Sequence, residues 1–266
     1  MADGTGSGLL AGKTCVVMGL ANKWSIAWPI GQAMAAAGGR VVFSYLNERI
    51  KRDVDKLLPE LPGATAYACD VSSDEAVDAF AEALARDVGT VDALVHSIAF
   101  APVDELKNRF LETTREGFRI AHDVSVYSLI AAARRIVPLM TDGGSITTLT
   151  YLGSERAFPR YNVMGVAKAS LEATVRYLAF DLGEQRIRVN AISAGPVRSF
   201  SARGIPGFDK MMDFVAESAP LKGRLDPYQL GSTAVFLASD GAAAITGETI
   251  FVDGGFHAVG MAHEGE

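Results

Sequence analysis

The chain has 266 residues, 49% of them hydrophobic and 21% charged, with a formal net charge of −6. That is enough apolar material for one sizeable core, and the acidic balance argues against nucleic acid, whose binders carry a basic stripe. Met1–Gly8 is short and polar, unlike a secretory signal, and no apolar run reaches membrane-spanning length, since Tyr127–Met140 contains Arg134 and Arg135.

Residues 1–11 read as a disordered tail. A strand over 14–18 runs through Gly19 into a helix over 25–37. A strand over 40–46, a helix over 48–58, a strand over 65–71, a helix over 73–88 and a strand over 93–99 follow. A helix over 115–140 leads to a strand over 144–151, a helix over 160–183 and a strand over 187–194. A helix over 226–238 and a strand over 249–253 close the series, and 258–266 reads as a second tail. The strands are near-continuous runs of Val, Ile and Ala, so both faces are covered and the sheet is parallel. The alternation predicts a single α/β domain over 12–257: a Rossmann-like doubly wound parallel sheet of seven strands, helices on both faces, ligands at the carboxyl ends of the strands. Residues 199–222 break the rhythm, with Gly204, Pro206, Gly207 and Pro220 around a short apolar helix, Phe208–Val215. An interruption of this length is expected to be a substrate lid. Cys15 and Cys69 lie in apolar strands and read as buried free thiols of a reducing cytoplasm. The four histidines show no metal-ligand spacing, so no metal is expected.

The first turn, MGLANKWSIAWPIG over Met18–Gly31, stands where a dinucleotide-binding chain puts its glycine loop, yet lacks G-x-G-x-x-G. A pyrophosphate needs backbone N–H groups, a helix N-terminus and room. Gly19 permits a tight turn, Ser25 is a good N-cap residue whose hydroxyl could also face a phosphate, and Ile26-Ala27 keep the first helical turn slim. An ordinary serine-capped turn is the alternative. With Ser25 as N-cap, Pro29 falls at N4 and removes the first helical hydrogen bond, unless the helix starts a residue or two later.

From Tyr161, steps of three and four give Met164, Lys168, Leu171, Val175, Leu178 and Leu182, a buried stripe. On a helix Tyr161 and Lys168 share that face, about 10.5 Å apart along the axis. An unpaired buried ammonium costs roughly several kcal/mol, so Lys168 either reaches the edge or meets something polar. Beside a phosphate-binding turn it could meet ribose hydroxyls, and it would favour the phenolate of a nearby tyrosine, whose reference pKa is about 10.

These residues resemble the enoyl-acyl-carrier-protein reductases, the divergent branch of the short-chain dehydrogenase/reductase superfamily. The resemblance runs from about Gly12 to His257. It takes in Gly19…Ser25-Ile26-Ala27, Asp70-Val71, His96-Ser97-Ile98-Ala99-Phe100-Ala101-Pro102 and Arg115-Glu116-Gly117-Phe118. It continues through Tyr151–Ala157, Tyr161-Asn162-Val163-Met164-Gly165-Val166-Ala167-Lys168, Arg188–Pro196 and Ile245-Thr246-Gly247-Glu248. Carbonyl reductases of the superfamily place tyrosine four residues before the lysine and serine about seventeen before it; those slots hold Met164 and Tyr151. The Tyr-x6-Lys of the enoyl reductases is present instead.

The resemblance implies NAD(P)H reduction of a trans-2-enoyl thioester in type II fatty acid biosynthesis. Tyr161 would donate its O–H to the developing enolate, Lys168 would hold the nicotinamide ribose, and Tyr151 would line the pocket beside the nicotinamide. Cofactor contacts carried over are Gly19, Ser25 and Ile26 at the pyrophosphate, Leu46 ending the second strand, and Asp70 and Val71 at adenine. Ser97, Ile98 and Ala99 would lie by the adenosine ribose and nicotinamide, and Ile192, Gly195, Pro196 and Val197 by the carboxamide. Ala101, Met164, Phe200, Ile205 and Phe208, with Tyr151, would make an apolar acyl slot. The resemblance favours NADH; NADPH stays open, because Tyr45-Leu46-Asn47-Glu48-Arg49 carries both an acid and a base where a 2′-phosphate would sit. It also implies a homotetramer and an acidic acyl-carrier protein as partner, for which Arg203 and Lys210 near the lid are the candidate contacts, with ordinary solvated charges as the alternative reading. The chain departs from the family at Pro29, where glycine is usual, and at Ser199-Phe200-Ser201, where Thr-Leu-Ala is usual. Two alternatives stand: a 3-oxoacyl or other carbonyl reductase, against which Met164 argues, and a non-catalytic nucleotide-binding protein, against which Tyr161 and Lys168 argue.

Overall fold

The computed structural model describes residues 8–199 and 207–260. Among them are seven strands: β1 (Thr14–Met18), β2 (Arg40–Tyr45), β3 (Thr65–Ala68), β4 (Ala93–His96), β5 (Gly144–Thr150), β6 (Ile187–Ala194) and β7 (Thr249–Val252). All pair in parallel, in the order β3-β2-β1-β4-β5-β6-β7. The order reverses between β1 and β4, and a doubly wound sheet opens its ligand crevice at that switch point.

Alternation along β1 shows how the core is split. Val16 and Met18 belong to one apolar cluster and Cys15 and Val17 to the other, all wholly buried. Side chains of a strand point to opposite faces in turn, so each face needs its own cover. The Cys15–Val17 face lies under α1 (Ala27–Ala36), α2 (Glu48–Leu57) and α9 (Pro227–Ala238). The Val16–Met18 face lies under α3 (Asp74–Asp87), α6 (Ser128–Ile136) and α7 (Val163–Leu182). Three further helices are α4 (Val103–Lys107), α5 (Arg115–His122) and α8 (Phe208–Ser218).

Several expected bounds move, each for a local reason. Residues 8–11 are not a loose tail: Leu10 is wholly buried and its N–H donates to Ala37 O at 2.9 Å. The helix expected over 115–140 is broken by a π-helical turn, Asp123–Tyr127, and its last residues, Val137–Leu139, form a 3-10 turn. In the π turn Ser125 Oγ accepts from Phe100 N at 3.0 Å and donates to Phe100 O at 3.1 Å. That tie bulges the helix toward the segment leaving β4, a common setting for such turns. The helix expected from residue 160 begins at Val163. β3 and β4 stop at Ala68 and His96; Cys69 N and Ser97 N still donate to Tyr45 O and Met18 O, and the chain beyond them leaves the ladder as the rim of the crevice. At the other end Ala258–Gly260 are not free, since Arg156 donates to His257 O and Val259 O.

Candidate active site

The turn after β1 is shaped by its backbone. Gly19 has φ +95, and a side chain there would collide with the Ser97 carbonyl at the end of β4. Only glycine allows both the left-handed conformation and this closeness. Ser25 is buried, but it does not cap the helix. Its Oγ accepts from Ala21 N at 3.0 Å and Asn22 N at 3.1 Å, so it braces the loop from inside. Ile26 is the N-cap, and the first helical bond runs from Ile30 N to Ile26 O. Pro29 therefore sits at N3, where the N–H it lacks has no helical partner. The N–H groups of Ile26 and Ala27 have no acceptor among the described residues. Free donors at a helix start are what an anionic pyrophosphate requires. A cleft of about 370 Å³ opens beside them, lined by Ser25, Ile26, Trp28, Pro196, Val197 and Met212 among others.

Other expected cofactor contacts divide. Ser97, Ile98 and Ala99 are half-buried on the rim, across from Gly19. Leu46 is exposed just past β2, and Val71 is buried against the core. Asp70 Oδ1 accepts from Ser72 N and Ser72 Oγ, so one carboxylate oxygen shapes the turn into α3. Gly195, Pro196 and Val197 follow β6 at the crevice. Ile192 is a correction: it lies inside β6, paired in register with Leu149 and Ile250, and is wholly buried. Its side chain fills the core two residues short of the strand end and does not reach the crevice.

The second half of the site lies where β5 meets α7. Lys168 is 5% exposed, turned inward, and its Nζ donates to Leu149 O at 2.7 Å. Burial pushes its pKa down to about 8, with Glu172 acting in the opposite sense. Tyr151 follows β5, and its ring packs edge-on against Tyr161 at 5.0 Å between centroids and against Phe158 at 5.1 Å. Gly153 leaves the space both tyrosine rings use. Tyr151 Oη donates to Met211 Sδ on α8 at 3.7 Å. The Tyr161 hydroxyl has no hydrogen-bond partner among the described residues.

Tyr161 itself is a correction to the helical argument. It precedes α7, between Arg160 at φ 64 and the N-cap Asn162 at φ 43. These are costly conformations for residues with side chains. The Asn162 amide offsets that by donating to the carbonyls of Glu105, Leu106 and Asn108. Tyr161 thus reaches the Lys168 side of the site by a pinned turn. The expected phenolate is also corrected: burial, then Tyr151 and Glu172, push the Tyr161 pKa up, so the phenol keeps its proton and is a hydrogen-bond donor. Burial, then Asp253, does the same to Tyr151.

Met164 and Ala101 are buried in the α7-side core, and Phe208 is half-buried at the start of α8. Phe200, Ile205 and Arg203 lie outside the described residues. Lys210 is exposed on α8. No group of three metal-binding side chains occurs among the described residues, and none of their helices is long and apolar enough to cross a membrane. Cys15 and Cys69 are buried free thiols, each pushed up to about 12 by burial first and then by a neighbouring aspartate, Asp92 or Asp70.

A phosphate-ready turn, an inward lysine and a tyrosine seven residues before it, with methionine in the carbonyl-reductase tyrosine slot, form one constellation. A family model for enoyl-(acyl carrier protein) reductase matches residues 19–257. The chain belongs to the enoyl-acyl-carrier-protein reductase family.

Within that family, the Staphylococcus aureus reductase named for NADPH is 51% identical over 252 residues, 94% of this chain and 98% of that protein. The Bacillus cereus reductase named for NADH is 50% identical over 254 residues, 95% of this chain and 99% of that protein. A crystal structure of the Bacillus cereus reductase with NADP+ and an indole naphthyridinone has TM-score 0.94 at 50% identity, covering 96% of this chain and 100% of that one.

Sequence reasoning missed a layer of buried polar groups behind this family's lysine. His96, wholly buried, bridges Thr148 Oγ1 at 3.0 Å and Ser128 Oγ at 2.9 Å. Burial first, and then the Lys168 charge, push its pKa down to about 3, so the ring is neutral. Glu172, also buried, accepts from Thr150 Oγ1 at 2.6 Å. Glu172 could have been found, because an acid one helical turn after an inward lysine is as anomalous as the lysine. Nothing local signals Thr150 or Ser128.

Proposed function

We propose that the chain reduces the trans-2 double bond of enoyl thioesters carried on acyl-carrier protein, as an NAD(P)H-dependent oxidoreductase of fatty acid biosynthesis. The observation that carries this reading is the inward ammonium of Lys168 at the carboxyl end of β5, on the same side as the free phenol of Tyr161.

The residues fit a dinucleotide. Gly19 and the N–H groups of Ile26 and Ala27 would hold the pyrophosphate, with Ser25 fixing the loop. Asp70 has one carboxylate oxygen to offer an adenine amino group. Lys168 spends one N–H on Leu149 O and has two left for ribose hydroxyls. When bound, NAD(P)H supplies the hydride delivered to the β-carbon of the thioester. Tyr161, kept neutral by burial, donates its O–H to the thioester oxygen as charge develops there. Lys168 keeps positive charge near that oxygen. Tyr151, tied to α8 through Met211, walls the reacting carbons from water.

Residues 199–222 serve as the lid, with Phe200, Ile205, Phe208 and Met164 against the acyl chain. Lys210, with Arg203, meets the acidic carrier protein. NADH is the preferred cofactor, with Glu48 disfavouring a 2′-phosphate. The enzyme works in the cytoplasm as a homotetramer. Supporting the assembly, Tyr177 and Phe180 of α7 are 74% and 85% exposed, more than large aromatic residues usually show.

Cofactor oxidation followed with crotonyl and with acetoacetyl thioesters tests the reading. Turnover of crotonyl alone is expected. Turnover of acetoacetyl alone would make the chain a carbonyl reductase, and cofactor binding without turnover of either would make it a nucleotide-binding protein.

A further inference from the structure

Lys168 and Glu172 are one helical turn apart on α7, and they are 5% and 9% exposed. A buried lysine near a buried acid usually pairs with it directly. Here no carboxylate of a described residue reaches Lys168 Nζ as an ion pair. The two charges hold adjacent residues of β5 instead: Lys168 donates to the carbonyl of Leu149, and Glu172 accepts from the hydroxyl of Thr150. A direct pair would turn the ammonium back along the helix. Anchored to Thr150, the carboxylate leaves Lys168 two N–H groups directed elsewhere while staying near enough to favour its charge.

We propose that Glu172 is the positioning residue that keeps Lys168 cationic in the unliganded site, and that Thr150 holds Glu172 where it can do so. The proposal rests on the reading of Lys168 given above. Burial alone works against that charge, and among the groups around Lys168 Glu172 is the one that offsets it.

Other titratable groups on the packed elements are committed elsewhere. His96, at the end of β4, is neutral and tied to Thr148 and Ser128. Tyr161 and Tyr151 keep their protons. Asp253, after β7, accepts from Gly255 N and His257 N. On α5 Arg119 pairs with Glu116, and it reaches Asp123 of the π turn at 3.6 Å. Glu105 of α4 accepts from Thr114, and Arg188 of β6 donates to the carbonyls of Leu237 and Ser239.

The test titrates lysine carrying ¹³C at its ε-carbon in the protein without cofactor, with the Lys168 signal assigned by its loss in Lys168→Arg. In the unsubstituted protein Lys168 is expected to titrate at about 8. Glu172→Gln keeps shape and an acceptor for Thr150 but removes the charge, and should lower that midpoint by about one unit. Thr150→Val should lower it less, and Thr150→Ser, which restores the hydroxyl, should leave it in place. A one-unit fall means NADH affinity, read by fluorescence, drops about fivefold at pH 8 and hardly at pH 6. An unmoved midpoint with unmoved NADH affinity in Glu172→Gln overturns the proposal. If Glu172→Gln does not fold, an unmoved midpoint in Thr150→Val does so. Unsubstituted protein that binds NADH but leaves crotonyl thioester intact sinks the functional reading instead, and the lysine titration still judges Glu172.

Discussion

Between β1 and α1 the site is built on backbone N–H groups, set by one left-handed glycine and braced by a serine that points inward. Between β5 and α7 the site is made of side chains, Lys168 and the phenol of Tyr161, backed by the buried Glu172 and Thr150. The two regions lie at the same edge of one sheet and are made differently. A backbone-built site tolerates changes of side chain as long as the chain can follow the same path. A side-chain-built site keeps its path under substitution and loses its chemistry. Mutations in the first should therefore act on cofactor affinity and stability together, and mutations in the second on what the lost side chain does: turnover for the phenol of Tyr161, the charge of Lys168 and with it NADH affinity for Glu172.

The sharpest way to break this division is Tyr161→Phe. The phenol has no partner among the described residues, and burial keeps it protonated, so its removal should leave the fold and NADH affinity unchanged. Losing a single donor to a developing oxyanion typically lowers turnover about 10²-fold or more, and that loss is expected in kcat on crotonyl thioester. A variant that keeps its kcat would remove Tyr161 from the chemistry.

Gly19→Val probes the other region and should be smaller. Forcing a β-branched residue to φ +95 against the Ser97 carbonyl strains the backbone by about 1–3 kcal/mol. The loss should appear both in thermal stability and in NADH affinity, the latter falling roughly tenfold, with kcat at saturating NADH better preserved. A fall in kcat with affinity intact would erase the contrast between the two regions.

How legible each region was follows from what builds it. All seven strands stand out as short apolar runs, and Lys168 stands out as a charge in an apolar stripe. The route of Tyr161 does not. It depends on Asn162 reaching carbonyls more than fifty positions back, and a helical period drawn through residues 160–183 cannot show that the helix starts at Val163. Ser25 misleads in the opposite way. It belongs to the preferred N-cap types, yet its hydroxyl serves two N–H groups of the loop before it, and Ile26 takes the cap position with no side-chain bond. Ile192 carries the same lesson for strands: a motif names a stretch of residues, but the two-residue alternation decides which of them leave the core.

That one-residue displacement of the helix start gives the smallest prediction, and its sign is decisive. At N3 the N–H of residue 29 has no helical acceptor, so Pro29→Ala gains no hydrogen bond. It only frees the unfolded chain, which should lower stability by about 0.4–1 kcal/mol, or roughly 1–4 °C in melting temperature for a domain of this size. NADH affinity should not change, because the free N–H groups of Ile26 and Ala27 precede the substitution. Were Ser25 the cap, residue 29 would sit at N4 and alanine would close a missing helical bond, raising the melting temperature. A rise would therefore place the start of α1 one residue earlier and return Ser25 from the loop to the helix, and with it the donors assigned to the pyrophosphate.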